Sequence, residues 1–411
     1  MDDNPRRPPR LPVLATVILL GFASGVPLNL IGSSLQAWMA DAKVNLATIG
    51  FFALAGLPYT FKFLWSPFMD RYRLPFLGKR RGWILVWFLA VMALLAALSR
   101  SDPGSDLRLV ALLAVALAFA SASVDINVDA YRIELLPGRL LGPGVSLHQT
   151  SYRLGMVYGG ALALFLADLV SWRFAYLVMA LGMLPGVAAT FLAPEPEGAT
   201  AAPATLREAV VEPFRDFLGR RRAWAVLAFI LLYKLGDNLC VALNTVFLKG
   251  LTFSNTEIAL ANKIVGMGCL IGGALAGGAL MARWTLRRSL WVFGVLQMAC
   301  MTGHLALALV GKSHVLLLVT VAVENSVFAM GSVAYVALIQ RCCSLKNAAT
   351  QFALLTSLAA LNRVLFASPA GVLARTLGWP AYFVLCIALA VPGLLLLRGY
   401  DSWELPEPAH G

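Results

Sequence analysis

The stretch Arg108–Leu135, RLVALLAVALAFASASVDINVDAYRIEL, decides how the rest of this chain is read. From Leu109 to Val124 it carries no charge, no Gly and no Pro, and its apolar residues run on continuously instead of alternating. A helix that crosses the hydrocarbon of a bilayer needs about 20 residues. A span that begins at Leu109 must therefore take Asp125 and Asp129 into the membrane with it. Each such acid costs roughly 3 kcal/mol on insertion scales. The segment predicts a transmembrane helix whose polar end has work to do.

Outward from this stretch the same texture repeats along all 411 residues, which are 59% hydrophobic and 13% charged. Soluble domains carry about 25% charged residues. Long uniform apolar runs also speak against a β-barrel, whose strands alternate over about ten residues. We expect an all-α polytopic membrane protein with about twelve spans. They fall near 11–38, 46–68, 82–99, 108–135, 143–168, 172–193, 223–248, 256–281, 289–311, 314–340, 347–374 and 379–398. The formal charge of +12 follows from their connections: of 33 Lys and Arg, twenty fall on the side shared by the termini, seven on the other and six inside spans. This is the positive-inside bias, so both termini are expected in the cytoplasm and nucleic acid is not an expected partner. Arg6–Arg10 before an apolar run imitates a signal peptide, but the run continues past Gly25 with no small-residue cleavage site, so an uncleaved first span is expected. The six cysteines form no CxxC pair and the four histidines are scattered, so neither a disulfide framework nor a metal site is expected.

The longest polar stretch, 194–222, begins Pro-Glu-Pro and continues through small residues, as a linker does. Leu206, Val210, Phe214 and Phe217 then recur at near-helical spacing beside several Arg, predicting a short helix on the membrane surface. On either side of it the chain repeats itself weakly. Leu20–Gly25 parallels Leu231–Gly236, Arg80-Arg81-Gly82-Trp83 parallels Arg287-Arg288-Ser289-Leu290, and Trp172–Tyr176 parallels Trp379–Tyr382. The expected organisation is an N-terminal half 1–193, a linker 194–222 and a C-terminal half 223–411, each half with six spans. Gly155-x-x-x-Gly159, Gly268-x-x-x-Gly272 and Gly273-x-x-x-Gly277 provide for close helix contacts.

Ionisable groups inside spans are the best functional candidates, because burying them is costly. Asp125 and Asp129 lie four residues apart on one helix face, with Arg132 three further on. Burial and a second carboxylate favour the protonated form while an arginine favours the ionised one, so the pair suits proton coupling. A structural pair with Arg132 is the alternative. Further candidates for a solute site are Arg153, Lys234, Asp237, Lys263, Glu324 and Arg363. Polar and aromatic residues that would line the same cavity are Asn29, Gln36, Trp38, Tyr59, Tyr152, Asn238, Asn244, Asn325, Gln351 and Asn362. Lys62 and Arg132, near the inner face, are read as snorkelling or structural. No Ser-His-Asp set, HExxH or phosphate-binding glycine loop is present, so an enzyme is not expected.

Several rare combinations inside these spans carry a family resemblance: Leu57-Pro58-Tyr59-Thr60-Phe61-Lys62-Phe63-Leu64-Trp65-Ser66-Pro67 with Asp70-Arg71-Tyr72, Asp125 to Arg132, Tyr233-Lys234-Leu235-Gly236-Asp237, Asn262-Lys263, Glu324-Asn325, and Ala349–Leu355 leading to Arg363. In these the chain resembles the muropeptide permeases of the AmpG type, within the major facilitator superfamily. The resemblance implies a major facilitator fold of two pseudo-symmetric halves, with the substrate site near the midplane and alternating access. It implies a monomer without a cofactor in the bacterial inner membrane, importing GlcNAc-1,6-anhydro-MurNAc and its peptides with protons. Cell-wall recycling and, in some bacteria, β-lactamase induction would follow. By the same resemblance Asp70, Arg71, Arg80 and Arg81 would form a gate at the cytoplasmic end, Asp70 finding its partner on another helix. The chain departs from the family at Val124, where Gln is usual, and at Asn127, where an aliphatic residue is usual. A major facilitator carrier of another anionic or amphipathic solute, and a sensor that binds cell-wall fragments without moving them, remain the alternatives.

Overall fold

The computed structural model describes residues 10–136, 138–194, 205–254, 257–258, 260–367, 369–403 and 405; within these, the side chains at 10, 11, 46, 47, 50, 53, 139, 206, 263 and 361–367 lie outside the description. Every regular element among the described residues is helical. Nine are long and apolar enough to cross a membrane: α1 (Pro12–Asp41), α3 (Gly78–Leu98), α4 (Leu107–Leu135), α6 (Trp172–Leu192), α8 (Ala223–Gly250), α9 (Leu260–Met281), α10 (Leu286–Val310), α11 (His314–Arg341) and α13 (Trp379–Ser402). The ends are set locally. Asp106, Ser171, Thr285 and Ser313 each accept a hydrogen bond from the backbone three residues on, capping α4, α6, α10 and α11.

The three remaining expected spans are present, two of them as irregular or interrupted helices. The second, α2 (46–71), is a chain of short α and 3-10 turns. Gly56, Pro58 and Pro67 interrupt its hydrogen-bond ladder, and Lys62 sits in its middle. The fifth, α5 (141–169), is rich in Gly, Ser and Thr and opens into a π-turn over Tyr158–Leu162. The eleventh, α12 (Ala348–Ala367), is one unbroken helix with the polar residues Asn347, Thr350 and Gln351 at its start. The linker contains α7 (Leu206–Leu218), opened by a Thr205 hydroxyl that accepts from the Glu208 amide at 3.0 Å.

Lipid offers no hydrophobic drive between helices, so association rests on close packing. The backbones of α1 and α5 meet where side chains are absent: a Cβ on Gly155 would lie 2.0 Å from the Phe22 carbonyl oxygen, and one on Gly159 2.1 Å from that of Val26. In α9, Gly273 is pressed against Ser326 of α11 in the same way, whereas Gly268 and Gly272 have open space beside them and take no part in packing. Large apolar side chains cover the outer faces, with Leu112, Trp224 and Val315 at 70, 72 and 73% exposure, as a lipid-facing surface requires. Between the two halves, α5 runs along α9, where the Ser146 hydroxyl donates to the Ala274 carbonyl at 2.6 Å.

Candidate functional site: a central cavity above a sealed end

Between α1, α2, α5 and α12 lies an open cavity of about 560 Å³. Leu28, Ile31 and Gly32 form one wall, Phe52, Gly56, Tyr59 and Lys62 the second, Tyr152 the third, and Thr356, Ser357 and Ala360 the facing wall from the second half. The irregularity of α2 matters here. Its 3-10 turn at Lys62–Leu64 turns Lys62 inward, where it is 9% exposed.

At the floor stands the polar end of α4. Asp129 pairs with Arg132 at 2.8 Å and with Lys62 at 3.8 Å. Lys62 therefore does not snorkel to the interface, since an acid on the neighbouring helix holds it. Arg132 also lies over the Phe352 ring at 5.8 Å, touching α12. Asp125, one turn above, is part-exposed, and no described residue donates a hydrogen bond to it or pairs with it. It stands within electrostatic reach of Lys62, Asp129 and Arg132. The two acids thus differ in their partners: Asp129 is held in ion pairs with Arg132 and Lys62, and Asp125 is in none among the described residues. Asn127 faces away, its amide donating to the Met69 sulfur and the Ser123 carbonyl, both at 2.8 Å, so it does not replace an amide at Val124.

Below this floor the end of the bundle is sealed. Asp70 is 1% exposed and its carboxylate joins two halves of the chain. On one side it accepts from Arg80 at 2.6 Å. On the other it accepts from the Thr350 amide at 2.8 Å, the Thr350 hydroxyl at 2.7 Å and the Ala349 amide at 3.4 Å. It acts as an N-cap donated from another helix, placing a full negative charge against the free amides and positive dipole end of α12. Arg80, fully buried, is further held by Glu134 of α4 at 2.7 and 2.9 Å. Arg81 caps the other end of a helix, donating to the Thr190 and Phe191 carbonyls at the close of α6. Arg71 lies over the Tyr72 ring at 5.3 Å. The corresponding residues of the second half behave differently: Arg287 pairs with Asp401 near the surface and Arg288 covers Trp284.

Of the other sequence candidates, Tyr59 and Tyr152 line the cavity, the Tyr59 hydroxyl donating to Ser121 at 2.8 Å. Lys234 and Asp237 pair at 3.3 Å along α8, with Gln297 donating to Asp237 at 3.4 Å and the Phe328 ring 4.2 Å from the ammonium. Glu324 meets His304 at 3.5 Å and shares a buried cluster with Cys240. Arg153 reaches across to the Leu270 carbonyl of α9 at 3.2 Å. Asn29 bonds the Met156 carbonyl at 2.7 Å and Asn325 that of Val321 at 2.8 Å, while Asn238 and Asn244 are part-buried on α8. Three expected cavity residues lie elsewhere. Trp38 is buried in an aromatic stack with Tyr176 and Trp172, and Gln36 is exposed and not among the residues that line the cavity. Gln351 is drawn to the sealed end, where it donates to Asp216 at 2.7 Å and to the Pro213 carbonyl of α7 at 3.0 Å. The side chains of Lys263, Asn362 and Arg363 lie outside the described residues. The partners Lys62, Glu134, His304, Gln297 and Thr350 were not singled out from sequence as site residues. Only their being polar within apolar runs marks them.

α7 presents apolar residues on two sides. Phe217 and Ala209 turn inward against the bundle, whereas Val210, Phe214 and Leu218 are about 40% exposed and Leu206 lies outside the described side chains. Lys346, just before α12, pairs with Glu212 at 2.7 Å and Glu208 at 3.8 Å. The helix thus braces the sealed end as well as covering it.

The chain is similar to known proteins in sequence and fold. The family model described as "Major Facilitator Superfamily" matches residues 17–367. The anhydromuropeptide permease of Escherichia coli strain K12 is 45% identical over 388 residues, covering 94% of this chain and 79% of that protein. A putative transporter, AmpG 4, of Rickettsia felis is 32% identical, covering 93% of this chain and 95% of its own. Among solved structures, the proton:xylose symporter XylE superposes with a TM-score of 0.66 at 13% identity, over 95% of this chain and 94% of that one, which speaks for the fold. This chain is a multi-pass membrane transporter and not an enzyme, and it belongs to the major facilitator superfamily and, within it, to the anhydromuropeptide permease (AmpG) family.

Proposed function

We propose that the protein imports peptidoglycan breakdown products, GlcNAc-1,6-anhydro-MurNAc with or without its peptide, together with protons. The cargo rests on the 45% identity to a protein named anhydromuropeptide permease. The observation that carries the coupling is the inequality of the two acids at the cavity floor. Asp125, with no ion pair among the described residues, is the acid left to take up a proton, while Asp129 shares the charges of Lys62 and Arg132 one turn below. Protonating a group in this network changes the balance that holds α2, α4 and α12 together, which is what an ion-coupled carrier needs.

The sealed end is rich in Arg and Lys, so by the positive-inside bias it faces the cytoplasm and the cavity opens towards the periplasm of an inner membrane. Residues 1–193 and 223–411 then act as the two rocking halves, with 194–222 as the link and the Asp70–Thr350 contact as the latch between them. The tests are uptake of labelled anhydro-disaccharide into proteoliposomes with and without an imposed pH gradient, and the same for Asp125→Asn and Asp129→Asn. At least one variant should lose gradient-driven accumulation while still exchanging substrate. Accumulation by both, or by the wild type regardless of gradient, overturns the coupling. Binding without accumulation overturns transport in favour of a sensor.

A further inference from the structure

Lys62 is the weakly satisfied cation of the cavity. Among the described residues it has one ion-pair partner, Asp129, at 3.8 Å, which is beyond hydrogen-bond reach. An ammonium has three protons to donate, and at 9% exposure water satisfies them poorly. Asp129 does not depend on it, because Arg132 already donates to its Oδ1 at 2.8 Å and Lys62 approaches only Oδ2. A buried cation held at such distance costs free energy unless another partner completes it. Asp125 stands within electrostatic reach but makes no ion pair with it, so the route open to a closer partner is the cavity, which Lys62 itself lines.

The facing wall carries a second incomplete group. The Ser357 Oγ is buried without a hydrogen-bond partner, whereas its neighbour Thr356 is satisfied by the Phe352 and Ala353 carbonyls. Tyr59 has spent its hydroxyl on Ser121, so it offers the cavity its ring. An ammonium and a hydroxyl on opposite walls, with the Tyr59 and Tyr152 rings alongside, match a sugar ring that bears an anionic two-oxygen acceptor.

We propose that Lys62 is the carboxylate subsite of the cavity: a solute carboxylate takes the ammonium from Asp129, Ser357 donates to its second oxygen, and occupancy thereby releases Asp129 Oδ2. The subsite joins a residue of the first half to one of the second, so a bound carboxylate draws the two walls together. The proposal rests on the cargo reading above, in which a muramyl sugar without peptide ends its lactyl group in a carboxylate.

The test is equilibrium binding to the full-length protein in nanodiscs at pH 7.5, with two probes: the 1,6-anhydro-muramyl disaccharide and its lactyl carboxamide. The wild type should bind the acid at least tenfold tighter than the amide. Lys62→Gln should remove that preference with amide affinity retained, which also reports folding. Ser357→Ala should weaken acid binding by about tenfold or more, one hydrogen bond to a charged acceptor, and Asp129→Asn should leave the acid preference intact or raise it. Equal binding of acid and amide by the wild type, or an undiminished preference in Lys62→Gln, overturns the subsite and leaves the cargo reading standing. Binding of neither probe by the wild type overturns the cargo reading, and the subsite with it.

Discussion

Replacing Asp70 by Asn keeps the shape of the latch and removes its charge. Two strong bonds cross from the second half to this carboxylate, from the Thr350 amide at 2.8 Å and hydroxyl at 2.7 Å. Hydrogen bonds to a charged group contribute about 1.5–3 kcal/mol and neutral ones about 0.5–1.5, so converting both loses roughly 1 kcal/mol each. The negative charge at the start of α12 adds about 0.3–1 kcal/mol. The sealed state should weaken by about 2–3 kcal/mol, which shifts a two-state gate by roughly 30- to 150-fold. The first half should survive, because Arg80 keeps Glu134 at 2.7 and 2.9 Å.

The assay is the distance distribution between spin labels at Phe76 and Arg283, exposed positions on opposite halves near the sealed end, in a background without the six cysteines. Asp70→Asn should populate the longer distance. Thr350→Val, which removes only the hydroxyl and its bond to the charged carboxylate, should do so to a comparable extent. Because the two residues touch, the double variant should show a coupling of about 1 kcal/mol. An unchanged distribution in Asp70→Asn, or strict additivity with Thr350→Val, would refute the reasoning.

Three further outcomes are expected. Lys234→Met leaves the buried Asp237 with only the 3.4 Å contact from Gln297 and should cost about 3–5 kcal/mol, while Lys234→Met with Asp237→Leu should recover most of it, as read by thermal unfolding in detergent. Gly155→Ala, whose Cβ would meet the Phe22 carbonyl at 2.0 Å, should sharply lower folded yield, whereas Gly268→Ala, with open space beside it, should be neutral or stabilising by up to about 1 kcal/mol. The Glu257 carboxyl, outside the spans, is held down to about 2 by the Ser254 backbone amide and then by His314 and Lys312. A depressed acid stabilises the fold above its unfolded value of 4.5 and loses that contribution as pH falls towards 2. The melting-temperature deficit of Glu257→Gln should therefore be constant from pH 8 to about 5 and vanish on acidification, and a deficit that grows towards low pH would contradict it.

What the sequence by itself determined was everything carried by local composition and period. Span length, the side on which Lys and Arg collect, and the acids in α4 are properties of short windows, because the cost of inserting a residue depends on its depth and identity and hardly on distant neighbours. That sufficed for a helical membrane carrier, and rare in-span combinations such as Tyr59 to Lys62 and Asp125 to Arg132 carried the family. Pairing is different, since it depends on which helices the packing brings together. The four-residue spacing put Asp125 and Asp129 on one face, yet only the folded structure shows that Arg132 and the inward-turned Lys62 both pair with Asp129 and neither pairs with Asp125. Asp70 and Thr350 stand 280 positions apart, and no window links them. Trp38 and Gln351 looked like cavity residues because polarity and aromaticity do not reveal direction. Helix rotation decides direction, and in a bilayer that rotation is set by where glycine lets backbones meet.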